Sequence, residues 1–322
     1  MKNWTKLALA VVLAAAGTAW AQAYPVKPVR IMVGYAPGGG VDTTARIMAQ
    51  ALGELWGSNV LVENRPGAAG NIATEATAKA APDGYTLVLC NIGSHAITPA
   101  RFAKRLTYDP VGDFAFPIKI GGIPNVFMVH PSMPITSLQQ YIAYARRNPG
   151  KLHFGSSGVG ASPHLSIELW KTISKINIVH VPYKGAAAAL ADAMSGHIES
   201  SVGNLAGGPL GAIKAKRVRA LAVTSAVRNA QVPEVPTFAE SGVPGYDVTG
   251  WYGLCTQSKV PQPILDKLAA DGRKLLSGPL KKRLESQGIS VAPATPEEFR
   301  EHVKSEIAKW TKVVADAKLT GN

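Results

Sequence analysis

The sequence has few of the residues that build metal sites and disulfide frameworks. Its 322 residues include two cysteines, Cys90 and Cys255, and seven histidines that are scattered along the chain. Neither a C-x-x-C nor an H-E-x-x-H motif occurs, and such spacings are the usual sequence signs of a zinc site. The sequence therefore predicts no metal site and no cofactor.

The two cysteines end similar strand-like runs, which read YTLVLC and WYGLC. An oxidising compartment would permit a disulfide between Cys90 and Cys255. Two buried free thiols are the alternative, and they are the interpretation that we favour from the sequence.

Long apolar runs are also missing beyond the first residues. A basic start is followed by a short apolar run at 7–16 and by small-x-small patterns that end at Ala21 and Ala23. This pattern is typical of a secretory signal peptide, and the run is too short to span a membrane. We predict a signal peptide at 1–23, cleavage after Ala21 or Ala23, and a periplasmic mature protein.

Acidic residues are scarce relative to basic ones. The chain has 21 Asp and Glu against 34 Lys and Arg, which gives a formal net charge of +13. The basic residues are spread along the chain, with local clusters only at 214–219 and 281–283, where no aromatic residues interleave. Nucleic-acid binding usually requires a basic patch or stripe. We therefore expect no nucleic-acid partner, and a positive field that favours small anions.

The sequence does contain a regular alternation of strand-like and helix-like segments. Short β-rich runs such as VRIMVGY, YTLVLC and INIVHV are separated by helical patterns, for example at 42–56, 137–147 and 163–173. Such alternation predicts an α/β fold with a mainly parallel sheet covered by helices on both sides.

The last helix is marked most clearly. Thr295 and Glu298 form a capping-box pattern. Apolar residues then repeat at steps of three and four, which predicts a helix that packs one apolar face on the core.

Two stretches rich in proline and glycine suggest two lobes. VFMVHPSMP and VPTFAESGVPGYDVTGWYGL enclose an almost complete second set of strands and helices. The simplest topology has the chain leave one lobe near Val129 and return near Val248. We predict a first lobe of 24–128 plus 248–322, a second lobe of 129–247, and a two-stranded hinge between them.

Each predicted lobe has a glycine-rich turn between a strand and a helix. The first loop (35–40) precedes a helix that opens near Asp42, and the second loop (156–162) precedes one that opens near Ser162. The start of a helix presents unpaired N–H groups and positive charge, and glycine lets a ligand approach them. In open α/β sheets, ligands bind at this end of the strands. The two loops predict an anion site in a cleft that closes between the lobes.

Nucleotide-binding and hydrolase motifs fit these loops poorly. GYAPGGG lacks the Lys-Ser/Thr of a P-loop, and GSSGVGASPH lacks the dinucleotide spacing G-x-G-x-x-G. The nucleophile elbow G-x-S-x-G is not matched either. A secreted serine hydrolase that uses Ser157 or Ser162 with His164 remains the alternative function.

Six segments together resemble the solute-binding receptors of tripartite tricarboxylate transporters, also called Bug proteins. They are YPVKPVRIMVGYAPGGGVDTTARIMAQAL, VENRPGAAGNIATEATAKAAPDGYTLVL, LTYDPVGDFAFPI, FGSSGVGASPHLSIELW, VPYKGAAAALADAMSGHIE and VRALAVTSAVRNAQVPEVPTFAESGVPGY. The resemblance implies a type II periplasmic binding protein fold, with two α/β lobes and a ligand cleft between them, and no enzymatic activity. It implies an organic carboxylate ligand and a membrane permease as partner. We expect a monomer, and a role as ligand sensor for a signalling partner remains open.

The resemblance also implies which residues bind the ligand. The family's two binding loops match Tyr35, Ala36, Pro37, Gly38, Gly39, Gly40 and Asp42 in the first, and Ser156, Ser157, Gly158, Gly160, Ser162 and His164 in the second. Flanking cleft loops match at Asn91, Gly93, Ser94, His95, Tyr183, Lys184, Gly185 and Asn204.

Two charged residues in these loops have alternative roles. We favour helix capping for Asp42, because an acid that faces a carboxylate would repel it. Lys184 either pairs with a second carboxylate or is solvated. The sequence does not identify the carboxylate.

Overall fold

The computed structural model describes residues 24–316, without the side chain of Lys104. The predicted signal peptide and its cleavage sites lie outside the described residues. Among the helices of the described range, none combines the length and the apolar character that crossing a membrane requires.

The strands of the described range are named in chain order. They are β1 (Val29–Val33), β2 (Val60–Asn64), β3 (Thr86–Asn91), β4 (Phe114–Val129), β5 (His153–Ser156), β6 (Val179–Pro182), β7 (Ser200–Asn204), β8 (Arg219–Val223), β9 (Thr249–Gln257) and β10 (Ser290–Val291).

The helices alternate with these strands. They are α1 (Gly40–Trp56), α2 (Asn71–Ala78), α3 (Thr98–Phe102), α4 (Leu138–Arg147), α5 (Ser162–Ser174), α6 (Ala186–Ser195), α7 (Gly208–Lys214), α8 (Gln262–Leu276), α9 (Pro279–Glu285) and α10 (Pro296–Asp316). Short 3-10 turns occur at Ala68–Gly70 and Ala103–Arg105, and a π-helical turn occurs at Gly93–Ile97.

The strands form a mixed sheet in the order β2-β1-β3-β9-β4-β7-β5-β6, with β8 and β10 also paired to β4. Strands β1, β2 and β3 are parallel, and so are β5, β6 and β7. Strands β4 and β9 run antiparallel to each other and to their other neighbours. The prediction of a mainly parallel sheet is therefore wrong at its centre. A chain that enters a second lobe and returns must cross in opposite directions, which makes the crossing strands antiparallel.

Strand β4 belongs to both lobes. It pairs with β9 from Phe114 to Pro124 and with β7 from Asn125 to Val129. The first lobe contains β1, β2, β3, β9, β10 and the first part of β4, and the second lobe contains the rest of β4 with β5 to β8. Val129, the predicted crossing point, is the last residue of this shared strand, and the boundaries at 129 and 248 stay a prediction.

Cys90 of β3 and Cys255 of β9 form a disulfide. The preference for free thiols was wrong. The two strands are adjacent and antiparallel, so that Val88 lies opposite Cys255 and the two cysteine Cα atoms are 5.8 Å apart. This separation is within the range of about 4.4–6.8 Å that a disulfide spans.

The predicted capping box at the start of α10 is confirmed. The Thr295 N–H donates to the Glu298 carboxylate at 2.8 Å, and the Glu298 N–H donates to Thr295 Oγ1 at 3.2 Å. The apolar stripe that follows is buried at Phe299, Val303 and Trp310. The helix thus packs on β4, and its Phe299 also contacts Trp251 of β9.

Candidate functional site

In both lobes, helices begin close to the ends of strands. Several of these strand-to-helix junctions contact one another. A Cβ placed on Gly40, at the start of α1, would lie 3.1 Å from Asn204 Cβ at the end of β7. A Cβ on Gly39 would lie 3.7 Å from the Cβ of Ala186, the first residue of α6. The amino ends of α1 and α6 and the carboxyl end of β7 therefore meet between the lobes. We call this region the interlobe cleft.

The first loop leaves backbone donors available at the start of α1. The Gly38 N–H donates to the Asp42 carboxylate at 3.0 Å. Gly39 is the N-cap residue and brings no side chain to cap the helix. Within residues 24–316, the N–H groups of Gly39, Gly40 and Val41 have no protein acceptor. Because a helix begins here, these donors also carry the positive end of the helix dipole.

Asp42 supports the first loop from the side. Its carboxylate accepts hydrogen bonds from Gly38 N–H, from Arg46 at 2.9 and 3.0 Å, and from Asn64 at 2.9 Å. Burial opposes ionisation, but the hydrogen bonds from Arg46, Gly38 and Asn64 outweigh it and hold the pKa of Asp42 below its usual range. The charged carboxylate is thus matched by Arg46, and it orders the loop through its hydrogen bond from the Gly38 N–H.

Direct contacts join the first loop to the second lobe. The Ala36 N–H donates to the Lys184 carbonyl at 3.1 Å, and the Gly208 N–H donates to the Gly38 carbonyl at 3.4 Å. A Cβ on Gly185 would lie 3.0 Å from Ala36 Cβ. Glycine at 185 therefore permits a close approach of the two lobes.

The second loop does not present its amides in the same way. The Gly158 N–H donates to Ser156 Oγ at 3.2 Å, and the Gly160 N–H donates to His164 Nδ1 at 3.1 Å. The Ala161 N–H donates to the Gly158 carbonyl. The expectation of bare amides in this loop is therefore wrong for Gly158, Gly160 and Ala161, whose N–H groups are bound within the protein.

Two residues that the sequence did not single out contact residues of the interlobe cleft. Asn125 of β4 donates to Ser162 Oγ at 3.0 Å and accepts from the Asn204 side chain at 2.8 Å. The Tyr252 hydroxyl of β9 would lie 3.2 Å from a Cβ on Gly40, and within residues 24–316 it has no hydrogen-bond partner. Burial raises the pKa of Tyr252 well above its usual value, so that the hydroxyl stays a neutral donor. Both residues come from the strands that join the lobes.

Polar groups after β1 and β3 hold the loops of the first lobe. The Tyr35 hydroxyl donates to the Ala69 carbonyl at 2.8 Å. The Asn91 side-chain oxygen accepts from the N–H groups of Gly93 at 2.8 Å and Ser94 at 3.4 Å. These contacts position the loops, and they occupy the polar atoms that they involve.

His95 lies in the core of the first lobe and away from the cleft. It is fully buried, its ring centroid is 4.8 Å from that of Phe114, and its Nδ1 lies 2.9 Å from Ser94 Oγ. Burial lowers the pKa of His95 to about 3. The expectation that His95 contacts the ligand is therefore corrected. The π-helical turn directs its imidazole into the aromatic core.

Tyr183 and Lys184 lie at the edge of the second lobe. The Tyr183 hydroxyl donates to the Asp192 carboxylate at 2.6 Å, and burial raises the pKa of Tyr183 to about 12. Lys184 is exposed, as the solvated alternative expects.

The predicted serine–histidine pairs are not formed. His164 Nδ1 accepts from Gly160, and its ring stacks on His180 with centroids 4.0 Å apart. Burial, followed by the influence of His180, lowers the pKa of His164 to about 2. Within residues 24–316, no hydrogen bond joins His164 to Ser157 or Ser162. The geometry gives neither serine a general base.

A different serine does contact a histidine. Ser156 Oγ lies 2.7 Å from His180 Nε2, and Ser156 is fully buried. Since Ser156 Oγ also accepts from the Gly158 N–H, the pair orders the second loop. In the described part of the chain, no three His, Cys, Asp or Glu side chains are grouped so that they could hold a metal ion.

The sequence matches a known family over most of its length. The matching family is described as the tripartite tricarboxylate transporter family receptor, and the match spans residues 44–319. The chain belongs to this family. It is a family of periplasmic solute-binding proteins, as the resemblance of the six segments implied.

Relatives and solved structures support the same assignment. Protein BugT of Bordetella pertussis is 31% identical over 320 residues, which cover 98% of each chain. The structure of R. palustris Rpa4515 with adipate is 35% identical with a TM-score of 0.88, and the match covers 92% of this chain and 98% of that one. MatC from Rhodopseudomonas palustris with bound malate is 28% identical with a TM-score of 0.83, over 90% and 100% of the two chains. The predicted periplasmic binding protein fold is thereby confirmed.

Proposed function

We propose that this protein is an exported receptor that binds an organic carboxylate in the interlobe cleft and delivers it to a tripartite tricarboxylate transporter permease. The chain catalyses no reaction and acts as a monomer in the periplasm. The ligand is held between the first loop and the second lobe, and the lobes open and close about β4 and β9.

The unpaired amides of the first loop carry this proposal. The N–H groups of Gly39, Gly40 and Val41 sit at the positive end of α1, and no group within residues 24–316 accepts from them. A carboxylate placed there would accept charge-assisted hydrogen bonds of about 1.5–3 kcal/mol each. Micromolar affinity requires about 8 kcal/mol in total. Three such bonds bring a carboxylate close to that affinity without an arginine.

The surroundings of these amides support an anionic ligand further. Tyr252 offers a neutral, buried hydroxyl beside Gly40. The acidic side chain in the first loop, Asp42, is bound to Arg46 and does not compete for the amides. Two relatives whose structures contain adipate and malate bind carboxylates in the same fold.

Titration calorimetry on the purified protein tests the proposal. The panel contains acetate, malate, adipate, citrate and 3-phenylpropionate, with glucose and spermidine as neutral and cationic controls. We expect at least one carboxylate to bind with micromolar Kd, and we expect mass spectrometry to recover it unchanged. Micromolar binding of glucose or spermidine, with no carboxylate binding below about 1 mM, would contradict the proposal.

A variant locates the binding site. Gly39→Val should weaken carboxylate binding at least 100-fold, because its side chain meets Ala186 and covers the amides. Gly39 has φ −84°, which valine adopts readily, so the fold should be retained. Gly211→Val is the matched control, since a Cβ there meets nothing within 4 Å. Equal affinities in the two variants would exclude the first loop as the site.

A further inference from the structure

A cavity lies at the outer side of the lobe interface. It has a volume of about 340 Å³. Its lining residues are Ala68, Ala69, Asn71, Ile72, Glu75, Thr98, Phe102, Arg105, Leu106, Thr107, Tyr108 and Val159. Val159 is the residue that the second lobe contributes to the lining, and every other lining residue belongs to the first lobe. The cavity is therefore completed when the lobes meet.

Apolar side chains form much of the cavity wall. They include Ile72, Phe102, Leu106 and Val159. Ile72 is 48% exposed and Val159 is 50% exposed, which makes them two of the large apolar residues that face solvent in the described chain. An apolar surface that is partly exposed beside a binding cleft favours an apolar ligand group.

The polar groups of the wall largely bind one another. The Tyr108 hydroxyl donates to the Asn71 side chain at 2.8 Å, and Glu75 is paired with Lys79. Glu75 and Arg105 are the charged residues of the wall, one of each sign, so the lining has no net formal charge. The cavity therefore gives no strong preference for a second carboxylate.

The cavity wall contacts both binding loops. Ala69, in its wall, accepts the hydrogen bond from the Tyr35 hydroxyl of the first loop. A Cβ on Gly160 of the second loop would lie 3.7 Å from Ala69 Cβ and 3.8 Å from Phe102 Cε2. Both binding loops thus contact residues of the cavity wall.

The size of the cavity suits a ring. An apolar cavity of about 150 Å³ in another protein holds benzene. A cavity of about 340 Å³ has room for a phenyl group and its linker.

We propose that this cavity receives the aromatic ring of the ligand, so that the protein selects aryl carboxylates over aliphatic di- and tricarboxylates. The inference rests on the proposed function, because the first loop must hold the carboxylate for the ring to reach the cavity. Ile72, Phe102 and Val159 then determine specificity through contact with the ring.

Relative affinity tests the inference. The Kd values of phenylacetate, 3-phenylpropionate, hexanoate and adipate are measured by calorimetry on the purified protein. We expect at least one aryl acid to bind at least tenfold more tightly than adipate and hexanoate. Tighter binding of adipate would overturn the inference in favour of a dicarboxylate, and tighter binding of hexanoate would overturn it in favour of an aliphatic chain.

A pair of variants tests whether the preference for aryl acids arises from the cavity. Ile72→Asp should reduce the ratio of adipate Kd to 3-phenylpropionate Kd at least tenfold, because a charge then lines the ring site. The exposure of Ile72 makes the substitution compatible with folding. Val227→Asp is the control, because Val227 is 73% exposed and lies outside the cavity wall.

The outcomes separate this inference from the proposed function. An unchanged ratio in Ile72→Asp, with carboxylate binding still lost in Gly39→Val, overturns the cavity inference and leaves the receptor function standing. Absence of carboxylate binding to the unmodified protein overturns both.

Discussion

At the scale of single residues, the first loop combines glycines that leave the backbone accessible with a neighbouring aspartate that holds the loop in place. Gly39 and Gly40 add no bulk in front of the α1 amides, while Asp42 fixes the loop through Gly38 and Arg46. In the proposed carboxylate site, neutral polar groups take the place of the charged side chain that an anion site often uses. The cost of burying a free charge is thereby avoided when no ligand is present.

His164 has a comparable positioning role in the second loop, and it makes the fold sensitive to acid. The pKa of His164 is lowered to about 2. Burial is the largest cause, and the charges of His180, Arg101 and Lys171 follow in that order. An unfolded histidine has a pKa of about 6.5. Below that pH the unfolded chain takes up a proton that the folded chain refuses, so stability is present above about pH 6.5 and is lost as the pH falls.

We expect His164→Asn to reduce this acid sensitivity. Asparagine can accept the Gly160 N–H hydrogen bond without titrating, so the pH slope of the unfolding free energy should fall by about 1.4 kcal/mol per unit between about pH 5.5 and 4.5. Urea denaturation in buffers free of carboxylates measures the slope. His197→Asn, at a side chain that is 74% exposed, is the control. Equal slopes in both variants would contradict the assigned role of His164.

At the scale of elements, the sequence predicted the regular strands and helices and missed the irregular ones. Alternation predicted β1, β3, α1 and α5 because each has a plain apolar pattern. The first part of β4 reads FAFPIKIGGIPN, and its prolines and glycines hid a strand. Proline is tolerated there where the pairing with β9 is irregular, at the register shift between Ala115 and Ile118.

The candidate site was predictable to the extent that it is local. The triple glycine before α1 identifies the first loop, because only a close approach to the backbone calls for so little bulk. Asn125 and Tyr252 could not be found in this way, since they reach the cleft only through the pairing of β4 and β9. His95 was misassigned because its direction depends on a π-helical turn that has no sequence signature.

The disulfide between β3 and β9 should contribute to the stability of the first lobe. It closes a loop of 165 residues around the entire second lobe. We expect the double variant Cys90→Ala, Cys255→Ala to lose about 2–5 kcal/mol of unfolding free energy. Denaturation with and without reductant checks this. Reductant should destabilise the unmodified protein and leave the double variant unchanged, and equal stability of the two proteins would contradict the expectation.

At the scale of the whole molecule, the two lobes share strand β4 and touch at the first loop. The contacts Ala36 to Lys184 and Gly38 to Gly208 bring the lobes together around the amides of α1. The proposed function requires the lobes to move as a hinge about the segments that connect them. If the proposed function holds, the ligand shifts an equilibrium between open and closed arrangements of the lobes toward closure.

A crystal structure with the tightest-binding carboxylate of the panel tests this account most directly. We expect a carboxylate oxygen about 2.7–3.1 Å from the backbone nitrogen of Gly39, Gly40 or Val41, with the second lobe closed over it. A well-ordered carboxylate that contacts none of these three nitrogens, directly or through one water, would show that the ligand is held elsewhere.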